Sequence, residues 1–143
     1  HDLMSAYYKI FKGDDQEKKL SAAIAWSRWE GSASSLSYNP SMADSFSDPQ
    51  FALAFALIEN HYFVNRGFLE HENQLIESGI DIIRNIPTTI VQGRYDIVCP
   101  MTTAWELSKN WPEAKLIIAP SSGHTAFEKE ITHELIKATN QYA

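Results

Sequence analysis

Asp96 and His124 stand 28 residues apart, and each comes just after an apolar, β-type run. Thr88-Thr89-Ile90-Val91 leads into Gly93-Arg94-Tyr95-Asp96, and Lys115-Leu116-Ile117-Ile118 leads into Ser122-Gly123-His124. In an open α/β sheet, catalytic groups gather beyond the carboxyl ends of strands. A carboxylate at such a position can fix the tautomer of a histidine and stabilise the imidazolium formed when that histidine takes a proton. The order acid, then histidine, is that of the last two members of a Ser–Asp–His triad. The first member is missing. Its usual turn, G-x-S-x-G, needs two glycines four apart, and the glycines stand at 13, 31, 67, 79, 93 and 123. Asp is common in turns for conformational reasons alone. The case for chemistry therefore rests on the pair in its strand-end context.

Other residue types with chemical potential give less by themselves. Glu59 lies in an otherwise apolar helical stretch, where a carboxylate without a partner is costly; an ion pair with Arg28 or Arg66 is the structural alternative. Glu30 fits a surface charge at a helix end, Phe63 a core residue and Cys99 a small apolar filler. Phe63 follows Glu59 by one helical turn, so both can share a face. His61, His71 and His133 lack the H-E-x-x-H spacing that aims two imidazoles at one metal, so no metal and no cofactor is expected.

The elements that must position these residues change in kind along the chain. Leu3, Tyr7, Ile10 and Phe11 repeat at helical spacing up to Gly13. Asp14 or Asp15 can cap a second helix running to about Trp29. Residues 31–48, rich in Ser, Asn, Asp and Pro, predict an irregular connection. Asp48-Pro49 opens a third helix that is apolar over most of its circumference and so is expected to be buried on more than one side. Beyond it come a helix near 73–83, a strand over 88–92, a helix over about 102–110, a strand over 115–119 and a final helix over about 127–141. Strand–helix–strand–helix with short turns implies parallel strands. Two such strands leave a sheet edge and half a sheet face unpaired, so further strands are expected from sequence outside this chain.

Composition bounds the rest. The chain of 143 residues is 44% hydrophobic and carries a net charge of −6, so a packed core is expected and no basic stripe exists to neutralise nucleic-acid phosphates. A single cysteine excludes an internal disulfide and suits a reducing compartment. No apolar run approaches bilayer-spanning length. A soluble cytoplasmic protein without membrane or nucleic-acid partners is the expectation. The opening His1-Asp2-Leu3-Met4, without an initiator methionine in first place, suggests a fragment or a processed product.

Four segments carry a specific likeness. Gly93-Arg94-Tyr95-Asp96-Ile97-Val98-Cys99-Pro100, Ser122-Gly123-His124-Thr125-Ala126-Phe127-Glu128, Ile58-Glu59-Asn60-His61-Tyr62-Phe63 and Ala25-Trp26-Ser27-Arg28-Trp29-Glu30-Gly31 resemble the signature segments of proline iminopeptidases. These are prolyl aminopeptidases of the α/β-hydrolase superfamily, and the likeness extends over nearly the whole chain. It implies a helical cap over residues 1–64 followed, over 65–143, by the C-terminal portion of an α/β-hydrolase fold with its last parallel strands and helices. It also implies that Asp96 and His124 are the triad acid and base, with the nucleophilic serine, oxyanion hole and first strands upstream of His1. Glu30 and Glu59 would then recognise the free amino terminus of a peptide beginning with proline, Phe63 would contribute to the apolar pocket for the proline ring, and Cys99 would lie near that pocket.

An aminopeptidase must tell a chain end from an internal peptide bond, and a cationic amine is the distinguishing group. Carboxylates in a partly desolvated site bind it by charge-assisted hydrogen bonds and are left unpaired by an internal residue. Two alternatives stay open: another capped α/β-hydrolase, such as an esterase or epoxide hydrolase, and a non-catalytic fragment. The 143 residues alone are expected to be inactive and prone to associate, and alkylation of Cys99 in the intact enzyme is expected to hinder substrate entry.

Overall fold

Side-chain caps open several helices in the computed structural model of the protein, which describes residues 2–143. Asp2 accepts from the Met4 amide at the start of α1 (Leu3–Lys12), and the Gly13 amide closes that helix on the Ile10 carbonyl. Helix α2 (Gln16–Ala33) follows, then α3 (Pro40–Ser45) and α4 (Pro49–Val64). Asp48 accepts from the Gln50 and Phe51 amides with Pro49 in the first turn, where its missing N–H leaves nothing unsatisfied.

Two compact units result: one holds residues up to Ser32 and Asn39–Glu70, the other Ala33–Tyr38 and His71–Ala143. In the first unit α1 packs on α4. Phe11, Ala23, Trp26 and Ala56 form its core, with Met4, Tyr7, Leu53 and Phe55 packed around them. Each large side chain so buried contributes about 1.5–3 kcal/mol before entropy is counted. Asn60, 1% exposed, donates to the Met4 carbonyl at 3.0 Å and so ties α4 to α1.

Three expectations are corrected here. Residues 31–48 are not irregular throughout, because α2 continues through Gly31 to Ala33 and α3 occupies Pro40–Ser45. Gly31 is accommodated because a β-carbon there would lie 2.7 Å from the Phe46 ring, so the missing side chain is what admits Phe46. Helix α4 is not buried on several sides. Its small residues Ala52 and Ala56 are fully covered, while Phe51, Ile58, Tyr62 and Phe63 are 42–60% exposed. Small side chains allow the close helix contact, and the large ones project away from it. The third correction is minor: the last helix begins at Lys129, two residues later than its apolar pattern suggests.

In the second unit a π-helical turn (Leu75–Gly79) runs into the short α5 (Ile80–Ile83). Strands β1 (Thr89–Gly93) and β2 (Lys115–Ala119) pair in parallel, with Thr89 opposite Lys115 and Gly93 opposite Ala119. Helix α6 (Met101–Asn110) makes the crossover, and α6 and α7 (Lys129–Gln141) pack on both strands. Ile80, Trp111 and Ala114 form this unit's core with Ile76, Ile90 and Leu107. The Trp111 indole N–H donates to the Arg84 carbonyl at 3.2 Å, and Arg84 pairs with Glu113 at 2.9 Å. Among the described residues no helix is long and apolar enough to cross a membrane.

Candidate functional site

The carboxyl ends of β1 and β2 are joined by backbone contacts that set the two turns against each other. Arg94 N–H donates to the Ala119 carbonyl at 3.0 Å and Tyr95 N–H to the Ser122 carbonyl at 2.9 Å. A β-carbon on Gly93 would lie 1.9 Å from the Gly123 carbonyl oxygen. The Gly of Gly-Arg-Tyr-Asp and the Gly of Ser-Gly-His are therefore a close backbone approach, for which only the absence of a side chain leaves room.

That approach brings Asp96 to His124. Asp96 as a whole residue is 8% exposed, and its Oδ2 lies 3.0 Å from His124 Nδ1. Oδ1 accepts from the Val98 amide at 3.0 Å and the Cys99 amide at 2.7 Å, and Oδ2 also accepts from Gln92 Nε2 at 3.1 Å. An ionised carboxylate only accepts, so Nδ1 carries the proton and Nε2 of a neutral ring keeps its lone pair. The His124 side chain is 35% exposed, against 5% for that of Asp96. A buried anion thus orients a base that remains accessible. Chemically the pair can accept a proton from a hydroxyl nucleophile and return it to a leaving group.

A strap of chain, Ala33–Tyr38, holds the histidine turn from the other side. The Ser34 carbonyl accepts from the His124 and Thr125 amides, each at 2.8 Å. Glu128 accepts from the Leu36 amide at 2.6 Å through one oxygen and from the Gly123 amide through the other. A cleft beside Asp96, lined by Ser35, Leu36, Arg94, Tyr95 and Ile97, opens next to this strap.

The first unit holds the candidates Glu30, Glu59 and Phe63. A cavity of about 340 Å³ is lined by Met4, Tyr7, Trp26, Trp29, Glu30 and Phe63 among others. Its surface is apolar and aromatic except for Glu30, a carboxylate only 9% exposed near the end of α2. Glu59 does not line it, but its Oε2 accepts from the Trp26 indole N–H at 2.7 Å, and the Trp26 ring does line it. That indole, rather than Arg28 or Arg66, is the partner the structure gives Glu59. Phe63 is 51% exposed and stacks on Trp26 with centroids 6.1 Å apart, so it is a wall residue, not core. Cys99 is exposed, which overturns the buried-filler alternative, and its backbone engages Asp96 and Gln92. His71 and His133 face solvent beside Glu77 and Glu134. Among the described residues no group of three His, Cys, Asp or Glu side chains could hold a metal ion.

Sequence reasoning gave no role to Gln92, Ser34, Trp26 or Glu128. Gln92 had a signal, a polar residue inside an apolar strand and four before the acid. Glu128 had one too, standing four after the histidine. Ser34 had none, since its role is a carbonyl contact across ninety residues of sequence.

Comparison with known proteins gives the family. The alpha/beta hydrolase fold family matches residues 3–131. A probable proline iminopeptidase of Leptolyngbya boryana is 51% identical over 141 residues, which are 99% of this chain and 44% of that protein. The proline iminopeptidase of Xanthomonas citri is 51% identical over 142 residues, again 99% of this chain and 45% of that protein. The Arabidopsis thaliana proline iminopeptidase is 48% identical over 139 residues, 97% of this chain and 36% of that protein. The chain spans less than half the length of these curated relatives.

Proposed function

We propose, from the premise that the chain belongs to the α/β-hydrolase fold family, that it is the acid–base and recognition part of a serine aminopeptidase releasing amino-terminal proline from peptides. The observation that carries the substrate assignment is Glu30, a buried carboxylate in the wall of an otherwise aromatic cavity. Such a site suits a small apolar ring bearing a cationic nitrogen, which is what a proline amino terminus presents. Aromatic faces attract the cation and cover the ring methylenes, and the carboxylate supplies a charge-assisted hydrogen bond. Glu59 is the second carboxylate of the amine clamp, and Phe63 is part of the ring pocket. Cys99 borders the substrate path.

Catalysis in this reading runs through an acyl-enzyme. The chain contains no G-x-S-x-G, so the nucleophilic serine and the oxyanion hole come from sequence outside these 143 residues. Asp96 holds the His124 ring with Nε2 as its basic nitrogen. Nε2 takes the serine proton as the hydroxyl attacks the prolyl carbonyl, then gives it to the departing amine. Water, deprotonated by the same nitrogen, releases proline. The pair needs no metal or organic cofactor for these steps. The proposed division is a cap over residues 1–64 and a core over 65–143, although by contacts the strap Ala33–Tyr38 groups with the second unit and residues 65–70 with the first. The single cysteine fits a cytoplasmic setting.

The test is Glu59→Gln in the full-length protein, assayed on a proline-amide substrate and on an ester lacking the amine. Loss of one charge-assisted contact is expected to lower kcat/KM for the proline substrate by about 10- to 100-fold, with ester hydrolysis little changed. Unchanged proline release would remove the amine clamp from the proposal. Equal loss on both substrates would favour an esterase-like enzyme in which Glu59 is structural.

A further inference from the structure

We infer that Trp26 is a positioning residue for Glu59: its indole N–H fixes the carboxylate that binds the substrate's amino group, and so sets affinity for that group. The inference rests on the amine-clamp role of Glu59 proposed above. The bond joins α2 to α4 across 33 residues of sequence and, at 2.7 Å, has the length of a charge-assisted contact. Trp26 is 8% exposed, and its ring is fixed on several sides. Tyr7 meets it edge-on at 5.0 Å and 84°, Phe11 lies at 6.2 Å, and Phe63 stacks on it at 6.1 Å and 27°. A donor held this way does not move when substrate enters, so the carboxylate it holds is preorganised.

The chemical type of the partner matters as much as the bond. Indole donates one hydrogen and carries no charge. It can orient a carboxylate without neutralising it, whereas Arg or Lys in the same place would consume the charge meant for an ammonium group. The same ring that orients Glu59 also lines the cavity holding Glu30 and Phe63. Trp26 therefore links the carboxylate to the ring pocket through one rigid side chain. A purely structural Trp in this cluster would need only its ring contacts.

The experiment is Trp26→Phe in the full-length protein, which removes the N–H and retains an aromatic ring, measured alone and combined with Glu59→Gln. Losing one hydrogen bond to a charged group predicts a rise in KM for the proline-amide substrate of about tenfold, with kcat falling no more than about threefold. In the Glu59→Gln background the same change is expected to add little, because its effect passes through Glu59. An unchanged KM, or the same rise in both backgrounds, overturns the inference. If Glu59→Gln raises KM and Trp26→Phe does not, the positioning role fails and the amine clamp stands. If Glu59→Gln itself has no effect on KM, the clamp fails and this inference falls with it. Should Trp26→Phe not fold, replacement of the indole by benzothiophene, which exchanges N–H for sulfur at nearly constant shape, is measured instead with the same expected and overturning results.

Discussion

Replacing Gly93 by Ala tests whether the two signature turns work as one unit. The added β-carbon would sit 1.9 Å from the Gly123 carbonyl oxygen and 2.8 Å from that of Ser122. Both obstacles are backbone, so no side chain can swing aside, and the turn must retreat by about 1.5 Å to reach ordinary contact distance. His124 is the next residue along. A shift of that size would stretch its 3.0 Å contact with Asp96 beyond hydrogen-bonding range. Overpacking against fixed backbone costs about 3 kcal/mol, which predicts a fall in Tm of about 6 °C or more. A 1 Å misplacement of a catalytic group costs about 100-fold in kcat. The assay is thermal unfolding and proline-amide kinetics on the full-length protein, with Gly13→Ala as the comparison. Gly13 has a negative φ, and its nearest obstacle is at 3.4 Å, so that variant is expected to stay within about 0.5 kcal/mol of the parent. A Gly93→Ala protein within about 2 °C and threefold of the parent would refute the close-approach reasoning.

Asp96→Asn should lower kcat about 10⁴-fold with a normal fold. The Asn oxygen must keep serving the Val98 and Cys99 amides, so its NH₂ faces the Gln92 NH₂ and His124 Nδ1, and the ring is driven to the tautomer with its proton on Nε2. Steady-state kcat with unfolding as a control checks this, and a loss under about tenfold would contradict it. Glu128→Gln can satisfy only one of the Leu36 and Gly123 amides through its oxygen, so the histidine turn should loosen. The expected result is a fall in kcat of about tenfold with KM nearly constant, and a change confined to KM would point away from His124.

How far the sequence disclosed this arrangement depends on how local each cause is. Asp96 and His124 were legible because each follows an apolar strand at short range, and parallel pairing of those strands suffices to bring their ends together. Helix α4 was legible from Asp48-Pro49, a cap and a first-turn residue side by side. Helix α3 was hidden because Asn39 and Pro40 cap a helix as readily as they make a turn, and Ser, Asn and Asp serve both purposes. The strap at 33–38 could not be read at all. Its contacts are backbone groups meeting a turn ninety residues away, and a carbonyl carries no residue-specific signal. Trp26 lies between these cases: it is a core residue, and only the direction of its N–H, which no sequence pattern reveals, sets it beside Glu59.

Asp96 and Glu59, proposed as triad acid and amine clamp, differ in how many of their acceptor sites the protein itself fills, and that difference fits the separate roles proposed for them. A carboxylate has about four lone-pair sites. Around Asp96 all four are engaged, by the Val98 and Cys99 amides on one oxygen and by Gln92 and His124 on the other. Nothing remains for a ligand, so Asp96 can only orient its histidine. Around Glu59 the described hydrogen bonds engage one site, through a neutral donor, on a side chain that is only partly buried. A carboxylate so placed keeps both its charge and its acceptors for an incoming ammonium. Strand-end Asp and mid-helix Glu are similar groups in the sequence. The saturated one suits a permanent part of the catalytic frame, and the unsaturated one suits a group that is completed only when substrate arrives.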